Sequence, residues 1–139
     1  MQQSAGSGKG VHAHKITWDH IHLRTPDVEA TAAWFEAMLG AEIVRSPGRT
    51  DLQLGGGRIF LAPVTSGDGV NPPPVTPYQG LDHFGLSVVD IDAIAADLKA
   101  KGVVFTTEPF NLRPGIRICF IRGLQGISIE LLERDAKYK

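Results

Sequence analysis

With 139 residues, of which 42% are hydrophobic and 21% charged, the chain has the size and composition of one globular domain. A net charge of -1 excludes the basic field that nucleic acid or an anionic membrane surface requires. The single cysteine, Cys119, excludes an intrachain disulfide and a cysteine-rich zinc site, and we interpret it as a small buried hydrophobe.

Residues 1–14 are polar and rich in glycine and serine, which predicts a flexible tail. This segment lacks the apolar centre of a signal peptide, and no apolar run in the chain reaches the length of a membrane span. We therefore expect a cytoplasmic protein. His12 and His14 lie in the tail and are assigned no role.

The next segment predicts a βαβββ module over residues 15–64. Asp27 stands as the N-cap of a helix over residues 28–39, and Gly40 stands as its C-terminal stop. β-Branched and apolar residues predict one strand before this helix and three after it. The predicted strands cover residues 15–24, 41–45, 51–54 and 58–63.

Four prolines make residues 65–80 a stiff, extended linker to a second βαβββ module over residues 81–133. Its helix is predicted over residues 91–101, capped by Asp90 or Asp92 and stopped by Gly102. The strands of this module are predicted over residues 81–88, 103–107, 116–122 and 127–132. Residues 134–139 form a C-terminal tail, and we expect one domain overall.

An internal repeat relates the two modules, because His83 follows His20 by 63 residues and the sequences after both histidines are similar. The same offset pairs Leu23 with Leu86, Asp27 with Asp90, Ala30 with Ala93 and Ala33 with Ala96. If a pseudo-twofold axis relates the modules, His20 and His83 occupy equivalent positions and can converge.

Alternate residues of a strand share a face, so His22 and Arg24 should point to the same side as His20. Glu130 interrupts an apolar strand, where a carboxylate should be exposed, paired or bound to a metal. His20, His83 and Glu130 together would form a divalent-metal site with open coordination positions. Such ligands suit iron(II), manganese, nickel or zinc.

Several motifs resemble the vicinal oxygen chelate superfamily, which includes glyoxalase I, extradiol dioxygenases, and bleomycin and fosfomycin resistance proteins. They are the pattern His20-x3-Arg24-x2-Asp27, the helix that ends in Leu39-Gly40, the second histidine His83, and the terminal Gly126-Ile-Ser-Ile-Glu130-Leu-Leu. The resemblance covers about residues 16–133. It implies an α+β fold in which two βαβββ modules form an open, mostly antiparallel, barrel-like sheet, commonly in a homodimer, with a metal bound at the three positions named above.

Two positions depart from the patterns of particular enzymes in the superfamily. The fourth ligand of glyoxalase I falls on Phe60, which cannot coordinate a metal. The tyrosine of ring-cleaving dioxygenases falls on Phe120. Arg24 matches an arginine that in glyoxalase I helps to hold glutathione, although a plain surface role is open. We predict that Arg24, Phe60 and Phe120 are substrate-binding residues in a pocket drier than that of glyoxalase I.

The resemblance implies a metal-dependent, glyoxalase-type lyase or isomerase that acts on a small substrate with vicinal oxygens. Glu130 is the predicted general base, and His22 is a second acid–base candidate or a structural histidine. One alternative is a non-enzymatic drug-binding protein of the bleomycin-resistance type, which is favoured if the three predicted ligands do not converge. Another is an extradiol dioxygenase or a thiol transferase.

Overall fold

Each half of the chain folds into one helix laid across one face of a four-stranded sheet. The computed structural model describes residues 15–138, without the side chain of Tyr138. The predicted N-terminal tail, with His12 and His14, lies outside the described residues, as does Lys139.

The secondary structure repeats the predicted βαβββ order twice. The first module contains β1 (His20–Thr25), α1 (Val28–Leu39), β2 (Glu42–Ser46), β3 (Arg49–Leu54) and β4 (Gly57–Pro63). The second contains β5 (Phe84–Ser87), α2 (Ile91–Ala100), β6 (Phe105–Arg113), β7 (Ile116–Arg122) and β8 (Ser128–Arg134). Short 3-10 turns cover Leu124–Gly126 and Ala136–Tyr138.

The two sheets have the same topology. Their strand orders are β1-β4-β3-β2 and β5-β8-β7-β6. The pairs β1–β4 and β5–β8 are parallel, and the other pairs are antiparallel. The predicted α+β class, with two βαβββ modules that form an open, mostly antiparallel arrangement, is confirmed.

Local signals set the bounds of the first helix. The Asp27 carboxylate accepts a hydrogen bond of 2.9 Å from the Ala30 N–H, which satisfies one of the free donors of the first turn. Gly40 ends the helix at φ 71°, in the left-handed region that glycine adopts without steric cost. In the second helix Asp90, rather than Asp92, is the cap.

Pairing partners, rather than local composition, set the ends of two strands. β1 begins at His20 instead of residue 15, because its register on β4 begins with the pair His20 and Arg58. β6 continues to Arg113, beyond the predicted end at residue 107, and includes Pro109. A proline is tolerated there because β6 is an edge strand whose register shifts between Thr107 and Phe110.

The buried core draws on both modules. It contains Ala32, Phe35, Leu52 and Ile59 from the first, and Ile91, Leu98, Cys119, Ile121, Ile129 and Leu131 from the second. The modules also meet at polar groups, since Lys101 donates a hydrogen bond of 3.3 Å to the Ala37 carbonyl at the end of α1. Neither helix of residues 15–138 has the length and apolar character that crossing a bilayer demands.

Candidate functional site

His83 and Glu130 form the centre of the candidate site. Glu130 lies in β8 beside Gly85 of β5, and this parallel register brings its carboxylate to the histidine that precedes β5. The His83 Nε2 atom is 3.1 Å from Glu130 Oε1, and Nδ1 is 2.8 Å from Asp82 Oδ2. The imidazole is therefore held at both ring nitrogens by carboxylates.

These contacts favour the protonated form of the His83 ring. The hydrogen bond that the His83 ring donates to Asp82 raises the pKa of His83 above its ordinary value of 6.5. Partial burial opposes this shift, and the contact with Glu130 adds to it. When the ring is neutral and Nδ1–H donates to Asp82, the Nε2 lone pair faces the side of Glu130. Such a ring can bind a cation through Nε2.

His20 repeats this arrangement in the first module. Its Nδ1 atom is 2.7 Å from Asp19 Oδ2, so the carboxylate of the preceding residue again holds Nδ1. A carboxylate on the far nitrogen is the usual outer partner of a metal-binding histidine. Sequence reasoning missed Asp19 and Asp82, although the repeated Asp-His dipeptide shares the offset of the internal repeat.

The three predicted ligands do not all meet within one chain. Within residues 15–138, no group of three or more histidine, cysteine, aspartate and glutamate side chains could hold a metal ion. His83 and Glu130 are in contact, whereas His20 lies against its own module. Two donors bound to one divalent ion at about 2.1 Å each lie roughly 3 Å apart. The separation of His83 and Glu130 fits two ligands of such an ion.

Phe60 fixes the position of His20. The two rings are stacked, with centroids 3.9 Å apart and an interplanar angle of 19°. The Arg49 guanidinium carbon is 4.4 Å from the Phe60 centroid, and Arg49 also pairs with Asp51 at 2.8 Å. A charged side chain, Arg49, therefore packs on the Phe60 ring. Asp51 Oδ1 is buried and has no hydrogen-bond partner within the described part of the chain.

Phe120 lies against the His83–Glu130 pair. It is the cross-strand neighbour of Glu130, and its ring meets the His83 ring edge-on, with centroids 4.9 Å apart. This contact limits the ways in which the imidazole can turn. Phe120 is therefore in direct contact with His83, a candidate ligand.

A cavity of about 500 Å³, called the linker cavity below, lies between the modules. Its walls come from β1, the proline-rich linker, the start of β5 and the turn before β8. His22, Arg24 and His83 line it, which brings the predicted acid–base and substrate-binding residues together with one candidate ligand. Phe60, Phe120 and Glu130 do not line it.

A family model described as the Glyoxalase/Bleomycin resistance protein/Dioxygenase superfamily matches residues 17–131. A probable chloroplastic lactoylglutathione lyase of Arabidopsis thaliana is 30% identical over 124 residues, which are 83% of this chain and 35% of the relative. A second lactoylglutathione lyase of that plant is 25% identical over 122 residues, 83% of this chain and 43% of the relative. The chain thus spans less than half the length of these curated relatives.

Solved structures share the fold. A glyoxalase family protein from Bacillus cereus has a TM-score of 0.72 at 19% identity, with 94% of this chain and 99% of that chain covered. A fosfomycin resistance protein from Listeria monocytogenes has a TM-score of 0.69 at 19% identity, with 88% and 96% covered. At these identities the similarity extends to the fold alone.

Proposed function

We propose that this chain, which belongs to the glyoxalase/bleomycin resistance protein/dioxygenase superfamily, is a metal-dependent, glyoxalase-type lyase or isomerase acting on a small substrate with vicinal oxygens. The observation that carries the proposal is the pair of repeat-related histidines, His20 and His83, each with Nδ1 held by the preceding aspartate. The named activity of the plant relatives belongs to the same reaction class.

The proposed ligands are His20, His83 and Glu130. Asp19 and Asp82 would fix the tautomer of each ring and so keep each Nε2 available. A divalent ion bound there would supply Lewis-acid stabilisation of negative charge on the substrate oxygens. Imidazole and carboxylate donors suit zinc, nickel, manganese and iron(II) alike, so the identity of the ion stays open.

We propose that a second copy of the chain completes the site. Each chain brings only two of the proposed ligands into contact, so His20 of one copy would join His83 and Glu130 of the other. This arrangement requires a homodimer with two equivalent sites, as an isologous pair provides.

The cytoplasmic location stays a prediction from the sequence.

Proton transfer falls to Glu130, which is also a proposed ligand and would leave the ion to act, and to side chains that line the linker cavity. Glu130 is the proposed general base, which takes a proton from the substrate carbon next to the oxygens and returns it to the neighbouring carbon. The carboxylate is mostly buried beside Phe120, away from competing water. His22 and Arg24 line the linker cavity, where His22 would handle a second proton and Arg24 would face an anionic group.

A second candidate function is a non-enzymatic small-molecule binding protein of the bleomycin-resistance type. The specific observation in its favour is that residues 15–138 of a single chain hold no three-ligand group. Such a protein would use the linker cavity without a metal. Because Phe120 stands where ring-cleaving enzymes carry a tyrosine, and no contact favours thiol transfer, we do not propose the remaining alternatives.

Metal content separates the two candidates. We expect about one divalent ion per chain in protein purified without chelator or tag-derived metal, measured by inductively coupled plasma mass spectrometry. The variants His83→Ala and Glu130→Gln should lose it, because each lacks a proposed ligand. The matched variant His22→Ala should keep the metal, because His22 is not a proposed ligand. A metal-free wild type, or unchanged metal in both ligand variants, would contradict the proposal and favour a binding protein.

A further inference from the structure

The linker cavity has the dimensions and the apolar walls of a small-molecule site. Its volume of about 500 Å³ falls within the range of roughly 300–1,000 Å³ that is usual for ligand pockets. The apolar lining residues include Leu23, Val64, Val70, Leu81, Phe84 and Ile127. Val70 and three prolines of the linker, Pro72, Pro73 and Pro74, line the cavity, so the segment that joins the modules also shapes it.

Arg24 gives this cavity a positive charge that no hydrogen bond or ion pair within residues 15–138 neutralises. Within residues 15–138, the Arg24 guanidinium forms no hydrogen bond or ion pair. Asp68 interacts with Arg24 electrostatically but not by a hydrogen bond. The Asp68 carboxylate instead accepts hydrogen bonds from the backbone N–H groups of Thr65 and Val70. The carboxylate of Asp82, which also lines the cavity, is engaged by His83. A ligand carboxylate is the natural partner for the free donors of Arg24.

Gln125 adds an independent sign of function at the cavity wall. Its backbone lies at φ 62° and ψ 22°, in the left-handed region that residues with a Cβ atom disfavour. Glycine would adopt this conformation freely, yet the chain carries a long amide side chain here. Strained backbone that persists at a cavity wall points to a use for the side chain.

We propose that the linker cavity binds a small monocarboxylate with an apolar body, which Arg24 and Gln125 select through its carboxylate. The apolar body lies against Val70 of the linker and Leu81, the residue that follows the linker. That this ligand is the substrate rests on the proposed function, because His83 borders the cavity and would be within reach of the bound molecule. Binding itself requires only the residues of the cavity.

The experiment compares 4-phenylbutyrate with 4-phenylbutan-1-ol, which share an apolar body and differ in charge. Both are titrated into metal-free, full-length protein by calorimetry or by ligand-observed NMR. We expect the acid to bind at least about tenfold more tightly than the alcohol, as a charge-assisted hydrogen bond allows. Arg24→Met should abolish that preference. The control Arg113→Met, at an exposed arginine before the β6–β7 turn, should retain it.

Two further variants test the walls. Gln125→Gly removes the amide and relieves the backbone, so it should weaken acid binding several-fold while the midpoint of urea unfolding stays the same or rises. Val70→Trp should fill the cavity and weaken the acid and the alcohol alike.

Equal affinity for the two probes in wild type, no saturable binding of either, or an unchanged acid affinity in Arg24→Met would overturn the inference. Unchanged affinity in Gln125→Gly or Val70→Trp would overturn the part assigned to that wall. Protein that binds the acid but takes up no metal would contradict the proposed function and leave this inference standing. Protein that takes up metal but does not bind the acid would contradict this inference and leave the proposed function standing.

Discussion

Asp82 acts on the candidate site through His83 rather than by direct contact with a substrate. Its carboxylate holds Nδ1 at 2.8 Å and so presents Nε2 toward Glu130. Asp82→Asn keeps the size of the side chain but removes its charge. We expect it to lower the affinity for a divalent metal by about 10–100-fold, the usual cost of a lost outer partner.

A chromophoric chelator that competes for the metal measures this affinity. Asp92→Asn is the control, because Asp92 pairs with Arg117 at an exposed position away from the site. Equal metal affinity in both variants and wild type would mean that Asp82 has no part in metal binding.

The resemblance to glyoxalase I places Phe60 at the position of that enzyme's fourth metal ligand. We expect the metal-loaded wild type to show weak or no turnover of the methylglyoxal–glutathione adduct. Phe60→Glu supplies a carboxylate and should raise this turnover. Arg49 lies 4.4 Å from the ring centre and would pair with the new carboxylate, so adding Arg49→Met should raise turnover further. Strong glyoxalase turnover in wild type would show that three ligands suffice.

At the scale of elements, sequence reasoning succeeded where the signals are local. The bounds of α1 were predictable because Asp27 and Gly40 lie next to the backbone groups that they cap. The start of β1 was not predictable in this way. It is set by the extent of pairing with β4, which lies far along the chain. The contact of His83 with Glu130 followed from the family pattern, whereas the position of His20 depends on how the modules meet.

Cys119 allows the burial of β7, an inner strand of the second sheet, to be tested. The Cys119 side chain in this strand is 0% exposed, and burial raises the pKa of its thiol from 9.0 to about 11. The folded protein therefore keeps the thiol protonated at pH values where the unfolded chain ionises. Its contribution to stability is complete below about pH 9 and is lost as the pH rises toward 11.

We expect native protein at pH 8 to react with iodoacetamide much more slowly than protein unfolded in guanidinium, because the thiolate is the reactive form. Mass spectrometry of the alkylated Cys119 peptide follows both rates. Comparable rates in the two states would contradict the burial of β7.

At the scale of the whole molecule, mixing two inactive variants tests whether the site spans two copies. In an exchanged dimer, His20→Ala and Glu130→Gln chains that pair with each other rebuild one intact site of two. Random pairing of equal amounts should restore about a quarter of the wild-type metal content after unfolding and refolding together. Sites built within one chain would give no recovery, because every chain carries one defect. The two variants refolded separately are the control.

The proline-rich linker influences a competition between two pairings. The first module of a chain can pair with the second module of the same chain or with that of another copy. A tethered module meets its partner at a local concentration set by the reach of the tether, whereas a module of another copy is met at the bulk concentration. A flexible tether of this length would give in-chain pairing a large advantage. Prolines stiffen the tether, so the local concentration of the second module depends on how well the extended linker matches the span between the modules. The stiffness of the linker therefore helps to set the protein concentration at which dimers form.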